Sequence, residues 1–312
     1  MPVRASLSRD PTKSLHFPAR CNFLPVVATE TWRIAIVTMV RPVLERLVPV
    51  LLDFGHEPVG VVTARADRDK PSEMALGDAT APPGLDLLFA KDKWSVEPLL
   101  RALRPDLMLC WGFPWKLPQA ALDVARLGSI NLHPALLPRH RGPVPLAWAL
   151  REGDGRFGIT WHRMDAELDT GGILAQTSIP IEDDDIVITD FGPKLGAAAF
   201  GLLPRVFERI AAGDPGDAQP VEGASWAGHF EDDEYVRIDW SQPARQIHDQ
   251  VRAWNLTFGM SRIVAPVAEL DGESVRLVRT SLRDPGDGAR RIECGDGPLW
   301  LVESESFDPE SS

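Results

Sequence analysis

The 312-residue chain has no uninterrupted apolar stretch long enough to span a bilayer, no paired-cysteine motif and no excess of base. Without an apolar run of about eighteen residues, a membrane-spanning helix is not expected. The three cysteines, Cys21, Cys110 and Cys294, lie far apart with no C-x-x-C pair, which argues against a disulfide framework or a zinc site. The expected compartment is therefore a reducing cytoplasm, with no metal. No G-x-G-x-x-G follows the first apolar strand, so a nicotinamide dinucleotide would lack its phosphate loop. No serine occupies G-x-S-x-G, and Cys110 has no neighbouring histidine in sequence, so a covalent acyl-enzyme has no evident nucleophile.

What is present is the composition of an ordinary globular enzyme, 44% hydrophobic and 25% charged, in a chain long enough for two domains. Residues 1–30 scatter Arg4, Arg9, Lys13 and Arg20 among Ser and Pro, with neither an apolar core nor a cleavage site, and read as a flexible extension rather than a secretory signal. Strand patterns at Arg33–Met39, Pro58–Thr63, the segment 85–90 and Asp106–Gly112 alternate with helical patterns through Val43, Leu44, Leu47, Val50 and Leu51 and at Val96–Leu103. That alternation predicts an α/β fold with a Rossmann-like, mostly parallel sheet. A helix is expected from Pro193 to Ala212. The stretch 213–235, rich in Gly, Pro, Asp and Glu, reads as a linker. Beyond it a helix from Pro243 to Ala253, with Asp239 or Ser241 placed to cap it, precedes short strands at Ile263–Leu270, Val275–Arg279 and Leu299–Glu303. These predict a small β-barrel-like domain over 236–305, followed by a tail at 306–312.

Two runs carry the chemistry. In GSINLHPALLPRHRG, Gly128 to Gly142, Ser129, Asn131 and His133 alternate with Ile130 and Leu132, so Asn131 and His133 point to one side of a strand that stops at Pro134. Both thus sit near a strand's carboxyl end, where open α/β sheets bind ligands. In GITWHRMDAELDTGG, Gly158 to Gly172, Thr160 and His162 alternate with Ile159 and Trp161 before a loop with Asp165 and Asp169. An amide donor, an imidazole and a carboxylate can hold an oxyanion, move a proton and orient the imidazole. His140 and Arg139 read as solvated loop residues, and Arg141 as a brace for the loop.

At Asn131 to Pro138, Arg141 with Gly142, and Leu168 to Gly171, the chain resembles the folate-dependent formyltransferase family. That family includes methionyl-tRNA formyltransferase, sugar and hydroxyornithine N-formyltransferases and 10-formyltetrahydrofolate hydrolases. The resemblance spans roughly residues 31 to 305. It implies a formyltransferase catalytic domain over 31–212, an open OB-like barrel at the C-terminus, and 10-formyltetrahydrofolate as co-substrate. It further implies that Asn131 and His133 stabilise the oxyanion and that Asp169 orients the histidine and relays a proton. His162, with Arg141 and Gly142 in support, matches a second histidine of several small-amine members that methionyl-tRNA enzymes usually lack. The pterin would lie near Trp111, Gly112, Phe113, Trp115 and Leu117 and near Asp165, Leu168 and Thr170.

Charge bears on the acceptor. From Gly213 to Ser312 there are 20 acids against 9 arginines and no lysine, so most of the net charge of -12 is concentrated there. A surface that grips tRNA should be basic, because neutralised phosphates supply most of the affinity. Arg276, Arg279, Arg283, Arg290 and Arg291 could still cluster on one face. The loop after the second strand, dense in Gly, Lys and Arg in methionyl-tRNA enzymes, carries here only Arg65, Arg68 and Lys70. The expectation is an N-formyltransferase acting on a small amine, with methionyl-tRNA formylation and donor hydrolysis as the alternatives. A homodimer is compatible with the sequence and not specified by it.

Overall fold

The structure, a computed structural model, describes residues 30–64, 84–185, 188–230, 233–256, 265–286 and 288–307. Residues 1–29, the loop bases Arg65, Arg68 and Lys70, the start of the strand expected from Ile263 and the end of the tail lie outside the described residues.

Seven strands form the main sheet: β1 (Arg33–Val37), β2 (Glu57–Ala64), β3 (Leu87–Ala90), β4 (Leu107–Trp111), β5 (Ser129–His133), β6 (Arg156–Arg163) and β7 (Ile173–Pro180). Their order is β3-β2-β1-β4-β5-β6-β7; the first five run parallel and the last two pair antiparallel. The expected Rossmann-like, mostly parallel sheet is therefore present.

Strand parity sorts the apolar residues into two cores, because successive side chains leave opposite faces of the sheet. Ile34, Ile36, Leu107, Leu109, Trp111, Ile130, Leu132, Ile159 and Trp161 face the larger core. Helices α1 (Arg41–Asp53), α5 (Ile188–Gly201) and α6 (Leu203–Ala211) cover that side. Ala35, Val37, Met108 and Cys110 face the smaller one, under α2 (Val96–Leu103) and α3 (Gln119–Leu122). In α1 the buried Val43, Leu44, Leu47 and Leu51 recur at helical spacing, so one stripe packs on the sheet.

The single helix expected over Pro193–Ala212 is instead the pair α5 and α6. Pro204 lies in the first turn of α6, where its missing N–H leaves no bond unmade. Within a continuous helix its ring would clash with the carbonyl one turn back.

The C-terminal strands β8 (Val267–Leu270), β9 (Glu273–Ser281), β10 (Arg290–Cys294) and β11 (Gly297–Ser306) form an antiparallel sheet of order β10-β11-β9-β8. Helix α8 (Ala244–Asn255) lays Ile247 and Val251 on Leu277, Leu299 and Leu301, consistent with the OB-like reading. Neither Asp239 nor Ser241 caps α8: Asp239 closes its own turn, and the Ala244 N–H donates to Asp296 at 2.7 Å, from the β10–β11 turn. Between α4 (Pro145–Arg151) and α8, Arg151 lies 4.3 Å from the Tyr235 ring centre, 5.0 Å from Trp148 and 5.3 Å from Phe230. That cation–π cluster joins the segment before α8, including the short helix α7 (Asp233–Val236) that carries Tyr235, to α4.

The stretch expected as a linker runs, from 213 to 230, as a strap along the loops that follow β5 and β6. Asp217 bridges Ile173 through paired backbone bonds of 2.8 Å, and the Arg141 N–H donates to the Ser225 carbonyl at 2.9 Å. The strap and the loop before β7 meet closely at one point: a Cβ on Gly216 would come 2.5 Å from the Gly172 carbonyl carbon, and one on Gly172 2.3 Å from the Pro215 carbonyl oxygen. Among the described residues no helix is long and apolar enough to cross a membrane.

Candidate active site

Parity also builds the site. With Ile130 and Leu132 committed to the larger core, Asn131 and His133 emerge on the opposite face. In β6, Ile159 and Trp161 are likewise committed, so His162 emerges beside them, and Asn131 pairs in register with His162. The Asn131 amide nitrogen lies 3.3 Å from His162 Nε2 and 3.5 Å from Asp169 Oδ1. Asp169 Oδ2 is 3.6 Å from His133 Nδ1, and His162 Nε2 is 3.5 Å from Asp169 Oδ1. The structure thus brings together Asn131, His133, His162 and Asp169, the first three from adjacent strands and the last from the loop after β6.

Asp169 sits in the left-handed region, φ +57°, which an Asp tolerates better than most residues. The Gly142 N–H reaches its Oδ2 at 2.9 Å. Gly142 itself has φ +117°, and a Cβ there would lie 2.9 Å from the Ala227 carbonyl oxygen, so the strap leaves room for glycine alone. Arg141 is tied to the strap: its Nε and Nη2 donate to Gln219 Oε1 at 3.0 and 2.7 Å. Gln219 Nε2 in turn donates to the carbonyls of Asp169 and Gly171, both at 2.8 Å. Gln219 therefore ties the two loops together; sequence reasoning missed it because it lies in the stretch read as a linker.

The hydrogen bonds assign the tautomers. His133 Nε2 lies 2.7 Å from the His140 carbonyl, which can only accept, so Nε2 carries a hydrogen and Nδ1 is the nitrogen left facing Asp169. His162 Nδ1 donates to the Arg163 carbonyl at 2.7 Å, leaving Nε2 toward Asn131 and Asp169. Burial pushes the His133 imidazole below its ordinary value, opposed by the Asp169 charge and the His140 carbonyl. For Asp169 burial acts to raise the carboxyl, but His133, His162 and the Gly142 N–H outweigh it and hold it below the usual carboxylate range. At neutral pH the pair is thus a carboxylate beside a neutral imidazole whose protonation the carboxylate would stabilise. Cys110, opposite Asn131 in the β4–β5 register, is buried, and burial with the Asp169 charge pushes its thiol up to about 12. It stays protonated, which removes it as a nucleophile.

The residues expected around a pterin divide. Trp111 does not wall a crevice: its ring packs edge-on to Trp161 and Phe200 inside the larger core, as its parity with Leu109 requires. Gly112, at φ +63°, turns the chain, and Phe113 and Trp115 meet edge to face at 5.3 Å beside the smaller core, with Leu117 buried in it. Lys116 reaches Glu167 at 2.9 Å, bringing this loop against the loop 164–170. There Asp165 accepts from Thr170 Oγ1 at 2.6 Å and from the Glu167 N–H, so its carboxylate shapes the turn, while Leu168 is partly exposed. His140, expected in solvent, is instead buried, with its Nε2 2.9 Å from Asp154 Oδ2. Among the described residues no group of three His, Cys, Asp or Glu is arranged to hold a metal.

The formyl transferase family model matches residues 90–192, and the model of the formyl transferase C-terminal domain matches 232–307. A methionyl-tRNA formyltransferase of Pelobacter propionicus is 32% identical over 275 residues, covering 81% of this chain and 82% of that protein. The chain belongs to the formyltransferase family. A methionyl-tRNA formyltransferase of Pseudomonas paraeruginosa is 37% identical to this formyltransferase over 274 residues, covering 81% and 84% of the two chains. Solved structures share the fold, among them the following two. HypX of Aquifex aeolicus in complex with tetrahydrofolic acid superposes with a TM-score of 0.65 at 20% identity, over 90% of this formyltransferase and 45% of that chain. An N-formyltransferase from Helicobacter canadensis in complex with folinic acid and dTDP-3-aminofucose gives 0.62 at 16% identity, over 88% and 99%.

Proposed function

We propose that this enzyme moves a formyl group from 10-formyltetrahydrofolate to a small-molecule amine, with Asn131, His133 and Asp169 as its catalytic residues. The reading of the centre rests on one observation: an amide donor, an imidazole with one committed nitrogen and a buried carboxylate converge within 3.6 Å contacts at a strand's carboxyl end. The amine nitrogen bonds to the formyl carbon as the bond to folate N10 breaks; the amine loses one proton and N10 gains one. Asn131 has two amide hydrogens, so one can remain on Asp169 or His162 while the other meets the negative charge that builds on the formyl oxygen. His133 Nδ1 takes the amine proton, directly or through water, with Asp169 stabilising the imidazolium. The protonated Nδ1–H then donates to the oxyanion or delivers the proton to N10. The side of the site formed by the loops 112–117 and 164–170 is the proposed folate side, with Phe113, Trp115 and Leu168 as its apolar surface. The free thiols of Cys110 and Cys294 support a cytoplasmic setting.

Charge favours the small acceptor. Of the C-terminal arginines that could have made a phosphate-binding face, Arg276 pairs with Glu305, Arg290 with Asp271 and Arg291 with Glu293. Paired cations offer little counterion release. The second reading, methionyl-tRNA formylation, is supported by the names of the relatives above 30% identity. A paired assay separates them: the enzyme with 10-formyltetrahydrofolate, with and without charged initiator methionyl-tRNA, following folate release and formyl-methionine together. Formyl-methionyl-tRNA would overturn the small-amine reading. Turnover with amino-sugar or hydroxyornithine acceptors and none with tRNA is the expected result, and folate release with water alone would mark a hydrolase.

A further inference from the structure

Behind the loop after β5 lies a cavity of about 320 Å³, bordered by Pro134, Leu136, Arg139, His140, Asp154 and Gly158. Facing it is a buried group the reaction above does not use. The His140 side chain is 4% exposed, and its Nε2 lies 2.9 Å from Asp154 Oδ2. Arg139 completes the cluster, with Nε 2.9 Å from the same His140 nitrogen and Nη2 2.8 Å from Asp154 Oδ1, while also pairing with Glu152. His140 has φ +58°, a left-handed conformation that a non-glycine residue keeps only when its surroundings hold it. The holds are identifiable: the Asp154 contact on the side chain, and the bond of 2.8 Å from the His140 N–H to Ser225 Oγ on the strap. That conformation aims the His140 carbonyl at His133 Nε2, 2.7 Å away.

We infer that Asp154 and His140 are positioning residues that, through the His140 carbonyl, determine which nitrogen of the catalytic His133 is free to exchange a proton. The inference rests on the formyl-transfer reading only for its kinetic consequences. With the anchor lost, the strained peptide relaxes, its carbonyl turns from His133, and the hydrogen of the neutral ring is free to move to Nδ1, the nitrogen that must be bare. The groups facing His133 are Asp169, His162 and the His140 peptide; those facing His140 are Asp154, Glu152 and Arg139. None of the last three touches the reacting atoms.

The experiment compares wild type, Asp154→Ala, Asp154→Asn, His140→Ala and the double alanine variant. Ring nitrogen chemical shifts of His133 are recorded alongside kcat, KM for the folate donor and the pH profile. Asp154→Ala should lower kcat about tenfold or more with KM within about twofold, as loss of a positioning contact does. Its His133 limb should move to lower pH by about half a unit or more, since a carbonyl acceptor favours the protonated ring. Asp154→Asn, whose amide can either accept from or donate to the His140 Nε2 nitrogen, should recover most of the rate, and the double variant should be no worse than His140→Ala. The nitrogen shifts should report Nε2–H in wild type and a mixed tautomer in Asp154→Ala, whether or not an acceptor amine has been identified. An unaltered His133 tautomer and limb in a folded Asp154→Ala protein would overturn the inference. If wild type fails to turn over any acceptor while the tautomer shifts as stated, the reaction reading fails and the positioning role stands. Should Asp154→Ala not fold, the Asp154→Asn and His140→Ala pair decides by the same readouts.

Discussion

Replacing Asn131 by alanine should separate catalysis from stability. In the resting site its amide nitrogen makes only long contacts, 3.3 Å to His162 and 3.5 Å to Asp169, near the outer limit of hydrogen bonding. Their loss should therefore destabilise the fold by less than about 1 kcal/mol. In the proposed mechanism the same nitrogen is a side-chain donor to the developing oxyanion, and a lost oxyanion donor costs about 3 kcal/mol of transition-state stabilisation, roughly a hundredfold in kcat. The assay measures folate release against product under saturating donor and acceptor, with thermal unfolding of the same preparations. Asn131→Asp, nearly isosteric, supplies the control: it replaces the donor by a carboxylate next to the Asp169 carboxylate and should be at least as inactive as the alanine variant. An alanine variant within threefold of wild-type kcat, or one whose loss of rate tracks an equal loss of folded protein, would refute the assignment.

Gly158→Ala should not accumulate as folded protein, because its Cβ would lie 1.8 Å from the Leu136 backbone nitrogen and neither strand nor loop can retreat; soluble yield and circular dichroism check this. Gln219→Ala removes the donor to two loop carbonyls and the partner of Arg141, and should lower kcat about tenfold with little change in KM, read by steady-state kinetics. His248 is buried between Thr280 Oγ1 and the Asp183 carbonyl, and burial pushes it down to about 4. Because the folded value is depressed, its contribution is present above the ordinary value of 6.5 and is lost as pH falls through about 4. Its share of that acid destabilisation is about 3 kcal/mol. Thermal unfolding across that window should therefore flatten in His248→Gln, and an unchanged slope would refute the burial argument.

Much of this architecture is determined locally. The alternation of strands and helices, and the period of two that puts Asn131 and His133 on one side of β5, follow from apolar spacing, because each buried residue commits its neighbours to the other face. Parity also separates Trp111 from Cys110, although which face carries the site became evident only once the helices were placed. What local pattern could not show is contact between distant segments. Gln219 and Ser225 lie in a stretch whose Gly, Pro and acid content reads as a free linker, yet packing against β7 and the loop after β5 turns it into a strap. Asp296 caps a helix 52 residues away in sequence, a bond that no capping motif near Pro243 encodes. Nor does sequence show that His140 is buried, since a histidine between two arginines reads as solvated until Asp154 is brought beneath it. Sequence alone therefore determined the fold class, for which short-range periodicity suffices, and it singled out the proposed trio of Asn131, His133 and Asp169, the last through the family resemblance rather than through periodicity. Tertiary structure alone decided how the trio is held, because side chains from remote segments supply the bonds that orient it.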